Sequence, residues 1–137
     1  MNKIYVFLLL LTNYTFFAQV TTNPSPIEID QIVTITVDTN STDTDCNGLN
    51  GVSKVYIHTG IGDDSNAWGF EVIGNWGQDD GIGEMINNGD GTFSITFIPK
   101  NYFSLTNTQA SSATKMGMVF RSADGSKELK AHACSAF

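Results

Sequence analysis

Apolar and polar residues alternate along much of this chain with a period of two, the spacing of a strand that buries one face and shows the other to water. Between Ile27 and Asp38 the apolar positions are Ile27 and Ile29, then Val33, Ile35 and Val37. Their phase slips at Gln31-Ile32, as it does at a bulge or at the junction of two short strands. Val52 to His58 alternates again, with Val55 and Ile57 on one face and Tyr56 and His58 on the other, and the glycines at 60 and 62 are expected to end that strand. Trp68, Phe70 and Val72 share one parity in a strand running to Asn75, and another strand opens at Met85-Ile86. Phe93, Ile95 and Phe97 form the inner face of Thr92 to Ile98, and Met116, Met118 and Phe120 that of the last long strand.

Turn chemistry separates these runs. Asn87-Asn88-Gly89-Asp90-Gly91 is a hairpin turn, because these residues accept positive φ. Thr39 to Asn50 carries turn and loop residues apart from Leu49, and Pro99 stops the strand before it. One helical turn is expected around Tyr102-Phe103, a loop over Ala110 to Lys115, and a hairpin at Ala123-Asp124-Gly125 with Lys127 to His132 returning. About seven short strands with no long helical period predict an all-β chain, an antiparallel β-sandwich. It is expected to span residues 27–137 as one domain, and either the fold is one edge strand short or the parent protein continues past Phe137, into a catalytic or anchoring domain downstream.

The amino terminus reads differently. Lys3, the apolar run Ile4 to Leu11 and a small residue at Ala18 have the order of a secretory signal peptide over residues 1–18, cut before Gln19. The apolar run is far shorter than the roughly 20 residues that span a bilayer, so no membrane insertion is expected. Residues 19–26, with Pro24 and Pro26, read as a lead-in. The protein is expected to be secreted, periplasmic or on the cell surface.

Composition narrows the partners. Fourteen acidic residues face seven basic ones, a net charge of −7, and loss of Lys3 with the signal makes it more negative. Nucleic acid is a poor partner for a chain without a basic patch. Cys46 and Cys134 are the two cysteines, and in an exported chain they are candidates for a disulfide; sequence alone leaves the pairing open. Such a bridge would close a long loop, worth on the order of 4 kcal/mol in the chain-entropy model. His58 and His132 lack a third ligand at useful spacing, and Asp63-Asp64 and Asp79-Asp80 do not follow a calcium-loop pattern, so no metal is expected. No cofactor motif is present, nor a nucleophile elbow or phosphate loop, and the chain reads as no enzyme.

The stretch from Lys54 to Gly83 holds both tryptophans, Trp68 and Trp76, with Tyr56, His58, Gln78 and Asp79 close by. Flat rings with polar neighbours suit a hydroxyl-rich ligand: the apolar face of a pyranose stacks on an aromatic plate, and its hydroxyls need partners at the rim. Trp68 also fits a core position by its strand parity, whereas Trp76 sits among loop residues.

The order VYIHTG, a tryptophan soon after, GNWGQDD, NNGDGTFSITFIPKNYF and MGMVFRSADGSKE resembles the starch-binding carbohydrate modules with an immunoglobulin-like fold that accompany amylases and SusE/SusF-type surface proteins. It covers roughly residues 50 to 130; AHACSAF departs from the strand that usually follows. The resemblance implies non-catalytic binding of polysaccharide, starch or another α-glucan first, as an accessory module of a secreted or surface polysaccharide-utilisation protein. It implies Trp76 and Trp68 as sugar-facing rings, with Tyr56, His58, Gln78 and Asp79 as polar partners. The rival from another class is a structural or adhesive immunoglobulin-like domain with no sugar site and both tryptophans in the core.

The amino-terminal reading is open to a direct check. Mass spectrometry of exported protein is expected to find Gln19 or a near neighbour as the first residue, and an intact 1–18 segment would contradict it.

Overall fold

A computed structural model describes residues 19–40 and 48–129. Residues 1–18, the segment 41–47 with Cys46 and the segment 130–137 with His132 and Cys134 lie outside that range, and so do the expected signal peptide, the candidate disulfide and the end of the expected returning strand.

Among the described residues seven strands form two antiparallel sheets packed face to face. In chain order they are β1 (Val20–Asn23), β2 (Val33–Asp38), β3 (Val55–Gly62), β4 (Glu71–Ile73), β5 (Ile86–Asn87), β6 (Thr92–Phe97) and β7 (Lys115–Ser122). One sheet has the order β1-β2-β6-β5 and the other β4-β3-β7. This is an all-β sandwich, with the A-B-E-D and C-F pairings of immunoglobulin topology. Beside β7, where that topology places a final strand, the described residues put Lys127 to Leu129, through a Ser122 N–H bond to the Lys127 carbonyl at 2.8 Å, the Arg121–Glu128 bridge and a Leu129 N–H bond to the Phe120 carbonyl at 2.9 Å.

The alternating runs fill the core as their parity requires. Val33, Ile35 and Val37 are fully buried, and in register they face Phe97, Ile95 and Phe93 on β6. β-branched and aromatic residues pack well on a pleated surface, so one run of side chains both forms the strand and supplies its buried face. Val55, Ile57, Ile61 and Phe120 close the core from the other sheet. Burying each of these large side chains is worth roughly 1.5 to 3 kcal/mol. The outer face of the four-stranded sheet carries Thr21, Thr34, Thr36, Ser94 and Thr96, and the Thr34 and Thr96 hydroxyls are 2.8 Å apart.

Several elements depart from the sequence expectation. The first strand lies inside the presumed lead-in: Val20 to Asn23 pairs with β2 and buries Val20. Ile27 and Ile29 are not in a strand; they pack as partly buried residues on the core below it. Gly60 does not end β3, which runs on to Gly62 and stops there. Trp68 and Phe70 precede β4 in a turn. The helical turn comes as α1 (Pro99–Tyr102), with proline at its start where a missing N–H costs nothing. The loop expected over 110–115 begins as α2 (Asn107–Ser112), nucleated by a capping box in which Thr106 and Gln109 satisfy each other's backbone N–H groups.

A cleft of about 820 Å³ opens between the edges of β1 and β7, lined by Val20, Ile27, Ile29, Ile61, Met116 and Met118 among others. It is the unclosed side of the sandwich, and none of the candidate ligand-binding residues lines it.

The two faces of one sheet should respond oppositely to truncation. Phe93→Ala is expected to cost about 3 to 5 kcal/mol in urea unfolding, and Thr36→Ala about 0.5 kcal/mol or less; similar costs at both positions would contradict the assigned faces.

Candidate functional site

The three-stranded sheet has an unusual outer face. Residues directly opposite in an antiparallel pair share a face, so the outward rows are Tyr56 with Arg121, His58 with Val119, Val72 with Gly60 and Gly117, and Gly62 with Lys115. One row thus has no side chains on β3 and β7. A Cβ on Gly60 would come within 2.3 Å of Trp68 Cε3, and one on Gly117 within 2.3 Å of Trp68 Cε2. The indole lies across both glycines, and the close approach of a ring explains glycine inside a strand.

Local sequence aims Trp68 there. Asp63 Oδ1 accepts from the N–H groups of Ser65 (2.9 Å) and Asn66 (3.2 Å), and Asn66 Oδ1 accepts from the Trp68 N–H at 2.9 Å. The chain rejoins the edge of β3 when the Phe70 N–H donates to the Ile61 carbonyl. The turn therefore folds back over its own strand. Beside the seated indole stands His58, its ring centroid 5.6 Å away and inclined by 27°.

Trp76 arrives from a second excursion. The chain leaves β3 after Ile73 and returns at Gly83, whose carbonyl accepts from the Ile57 N–H at 2.8 Å. Gly83 is held so close to β3 that a Cβ would lie 2.3 Å from the Ile57 carbonyl oxygen, and its φ of 79° suits glycine. Between these points residues 74–82 fold over the outer face and cover Tyr56 and Arg121, both fully buried. Trp76 meets His58 edge-on, at 5.8 Å and 88°, so the two indoles are steeply inclined to each other with the imidazole between them. Trp76 remains 46% exposed. Val72 and Ile82 add exposed apolar surface nearby, at 49% and 45%.

Below the rings lies a polar anchor. Arg121 donates from Nη1 to the carbonyls of Ser122 and Ala123, and from Nη2 to those of Asn75 and Gln78. Its guanidinium carbon is 4.6 Å from the centre of the Tyr56 ring. The Tyr56 hydroxyl donates to Asp79, and it lies 3.1 Å from Glu84 Oε2. Lys54 Nζ approaches the same Asp79 carboxylate at 2.9 Å. The bond to Asp79, joined by burial, pushes the Tyr56 phenol up to about 12. Asp79 is held below the usual carboxylate range by the Tyr56 and Lys54 bonds. Asp80 is lowered likewise, by Asn75 and then by the Ile82 N–H.

The residues singled out by sequence therefore divide. Trp68, His58 and Trp76 come together as one partly exposed aromatic surface. Gln78 is exposed in the same loop, next but one to Trp76. Tyr56 is buried beneath the loop, where no ligand reaches its ring, and the Asp79 carboxylate is shared between Tyr56 and Lys54. Gly60, Gly117 and Arg121 escaped the sequence reading. Two glycines in otherwise strand-like runs were a legible sign of a ring or backbone close by; nothing in VFRS marks its arginine as buried. Among the described residues no group of three His, Cys, Asp or Glu side chains could hold a metal ion, and no helix is long and apolar enough to cross a membrane.

No protein-family model matches the chain, and no curated protein matches it.

The polar anchor has a pH signature. A folded phenol whose pKa is raised contributes stability that is fully present below its unfolded pKa of about 10 and lost as pH rises through the folded value. Here the window runs from about pH 10 to about 12. Absorbance titration of the phenolate together with urea unfolding is expected to show a tyrosine ionising near pH 12, and Tyr56→Phe should remove that step and flatten the alkaline loss of stability. Ionisation of Tyr56 near its ordinary pKa with the fold intact would contradict the anchor.

Proposed function

We propose that this chain is a non-catalytic carbohydrate-binding domain whose ligand surface is the Trp68, His58 and Trp76 cluster. The observation that carries this reading is a pair of partly exposed, steeply inclined indoles held on a sheet face by backbone that leaves room for them. Aromatic plates of this kind offer large contact area at low entropic cost and suit the apolar faces of sugar rings. Gln78 supplies an amide beside them for hydroxyl groups.

The chemistry around the rings supports binding over bond breaking. A glycoside hydrolase of the common kind needs a carboxyl group that keeps its proton and a second carboxylate across a cleft. Here Asp79 and Asp80 are lowered by hydrogen bonds that hold the loop in place. The resemblance of residues 50–130 to starch-binding modules favours an α-glucan as ligand, and it favours an exported or surface-attached parent protein that keeps polysaccharide close. The signal-like residues 1–18 support the same location.

Exposed Val72 and Ile82 favour, as a second reading, a structural or adhesive immunoglobulin-like domain that docks another protein on this face. Paired measurements on Trp76→Ala separate the two. Loss of a stacking ring is expected to weaken glucan binding by roughly 1 to 3 kcal/mol, about tenfold to over a hundredfold. Stability should fall by about 1 kcal/mol or less, well short of a core aromatic. Affinity electrophoresis against soluble polysaccharides with urea unfolding reads both; a wild-type chain that binds no glycan in the panel would sink the sugar reading.

A further inference from the structure

We propose that Arg121 is the positioning residue of the aromatic surface, setting Trp76 in the attitude in which it meets a ligand. Its consequence for affinity rests on the glycan-binding reading; its consequence for Trp76 rests on geometry alone.

The guanidinium is a flat fork, and each arm holds a different piece of chain. Nη2 donates to the Asn75 carbonyl at 2.6 Å and to the Gln78 carbonyl at 3.0 Å, the residues that bracket Trp76 and Gly77. The Asn75 carbonyl also accepts from the Gln78 N–H at 3.2 Å. A single nitrogen thus closes the small turn that contains Trp76. Nη1 donates to the carbonyls of Ser122 and Ala123, at 2.9 Å each. Those residues open the turn whose Gly125 lies against the indole, where a Cβ would come within 2.9 Å of Trp76 Nε1. The seat of Trp76 is therefore made of two chain segments that one side chain ties together.

Taking a cation out of water is costly unless hydrogen bonds replace its hydration. No ion pair joins Arg121 to a carboxylate among the described residues. Four carbonyls replace the water at Nη1 and Nη2, the Tyr56 ring lies against the guanidinium, and of its nitrogens buried Nε alone has no hydrogen-bond partner among the described residues; the Trp76 ring centre is 5.9 Å from the guanidinium carbon. An apolar residue of similar size would fill this space without a charge to bury. What it could not do is hold both segments in register. Lysine keeps the charge and the stem, yet it offers its donors from one point and cannot span both segments.

The chain has two tryptophans, so in a Trp68→Phe background fluorescence reports Trp76 alone. Adding Arg121→Lys is expected to leave cooperative unfolding in place, shift Trp76 emission to the red and raise its quenching by acrylamide. In the chain with native Trp68, Arg121→Lys should lower glucan affinity to that of Trp76→Ala. The double variant should bind no more weakly than Trp76→Ala, because both changes remove the same contact. Unchanged Trp76 emission, failure of Arg121→Lys to fold, or affinity losses that add would each overturn the proposal. If no glycan binds the wild type, the binding reading falls while the fluorescence comparison still decides whether Arg121 positions Trp76.

Discussion

Gly60 and Gly117 stand opposite each other in register, and the surface depends on the space that their missing side chains leave. A sheet face normally projects a side chain every second residue on every strand, which keeps a large ring several ångströms off the backbone. Two adjacent glycines remove that layer and let Trp68 lie against the sheet itself. Glycine weakens a strand, by roughly 0.5 to 1 kcal/mol relative to alanine. The indole covering the same backbone offsets that cost, so the ring and its floor stabilise each other. His58 and then Trp76 are arranged outward from this contact.

Loop electrostatics complete the arrangement. The excursion from Gly74 to Gly83 is short of apolar residues that could fasten it, and acidic and amide side chains tie it instead: Asp80 to Asn75 and Ile82, Asp79 to Tyr56 and Lys54. Exposed pairs such as Lys54 with Asp79 contribute little alone. Here they sit at the rim of a buried guanidinium that gathers four carbonyls, and together they fix a loop that packing could not. The acidic balance of the chain thus has a local use, in turns bonded to their own backbone, and its carboxylates are largely committed.

Much of the sandwich was legible because its signal is local. Val33, Ile35, Val37 and Phe93, Ile95, Phe97 announce their faces by alternation, and Asn87 to Gly91 forms its hairpin through side-chain bonds within the turn. The misreadings came where distant residues decide. Glycines 60 and 62 look like strand breakers until a ring from eight residues further on covers the first. Val20 to Asn23 is too short to stand out, and becomes a strand because β2 offers an edge. The capping box at Thr106 and Gln109 is local, and its Thr-x-x-Gln spacing is legible in the sequence. At the site, Trp68, Trp76 and His58 stood out as ring-bearing residues near one another in sequence. Tyr56 looks equivalent to His58, two positions along the same face; the loop covers Tyr56 completely and His58 only in part, through Gly74 and Trp76.

The two outer faces now make opposite claims. The four-stranded sheet shows mostly small hydroxyl side chains, with Ile86 exposed on its β5 edge, and the three-stranded sheet shows rings. An NMR titration with a soluble α-glucan oligosaccharide tests the choice most directly, since it reads every face at once without a substitution. The account predicts shifts of the Trp68 and Trp76 indole N–H signals and of the His58, Val72 and Gln78 amides, with Thr34, Thr36 and Thr96 unmoved. Shifts centred on the threonine face, or none at saturating glucan, would contradict it.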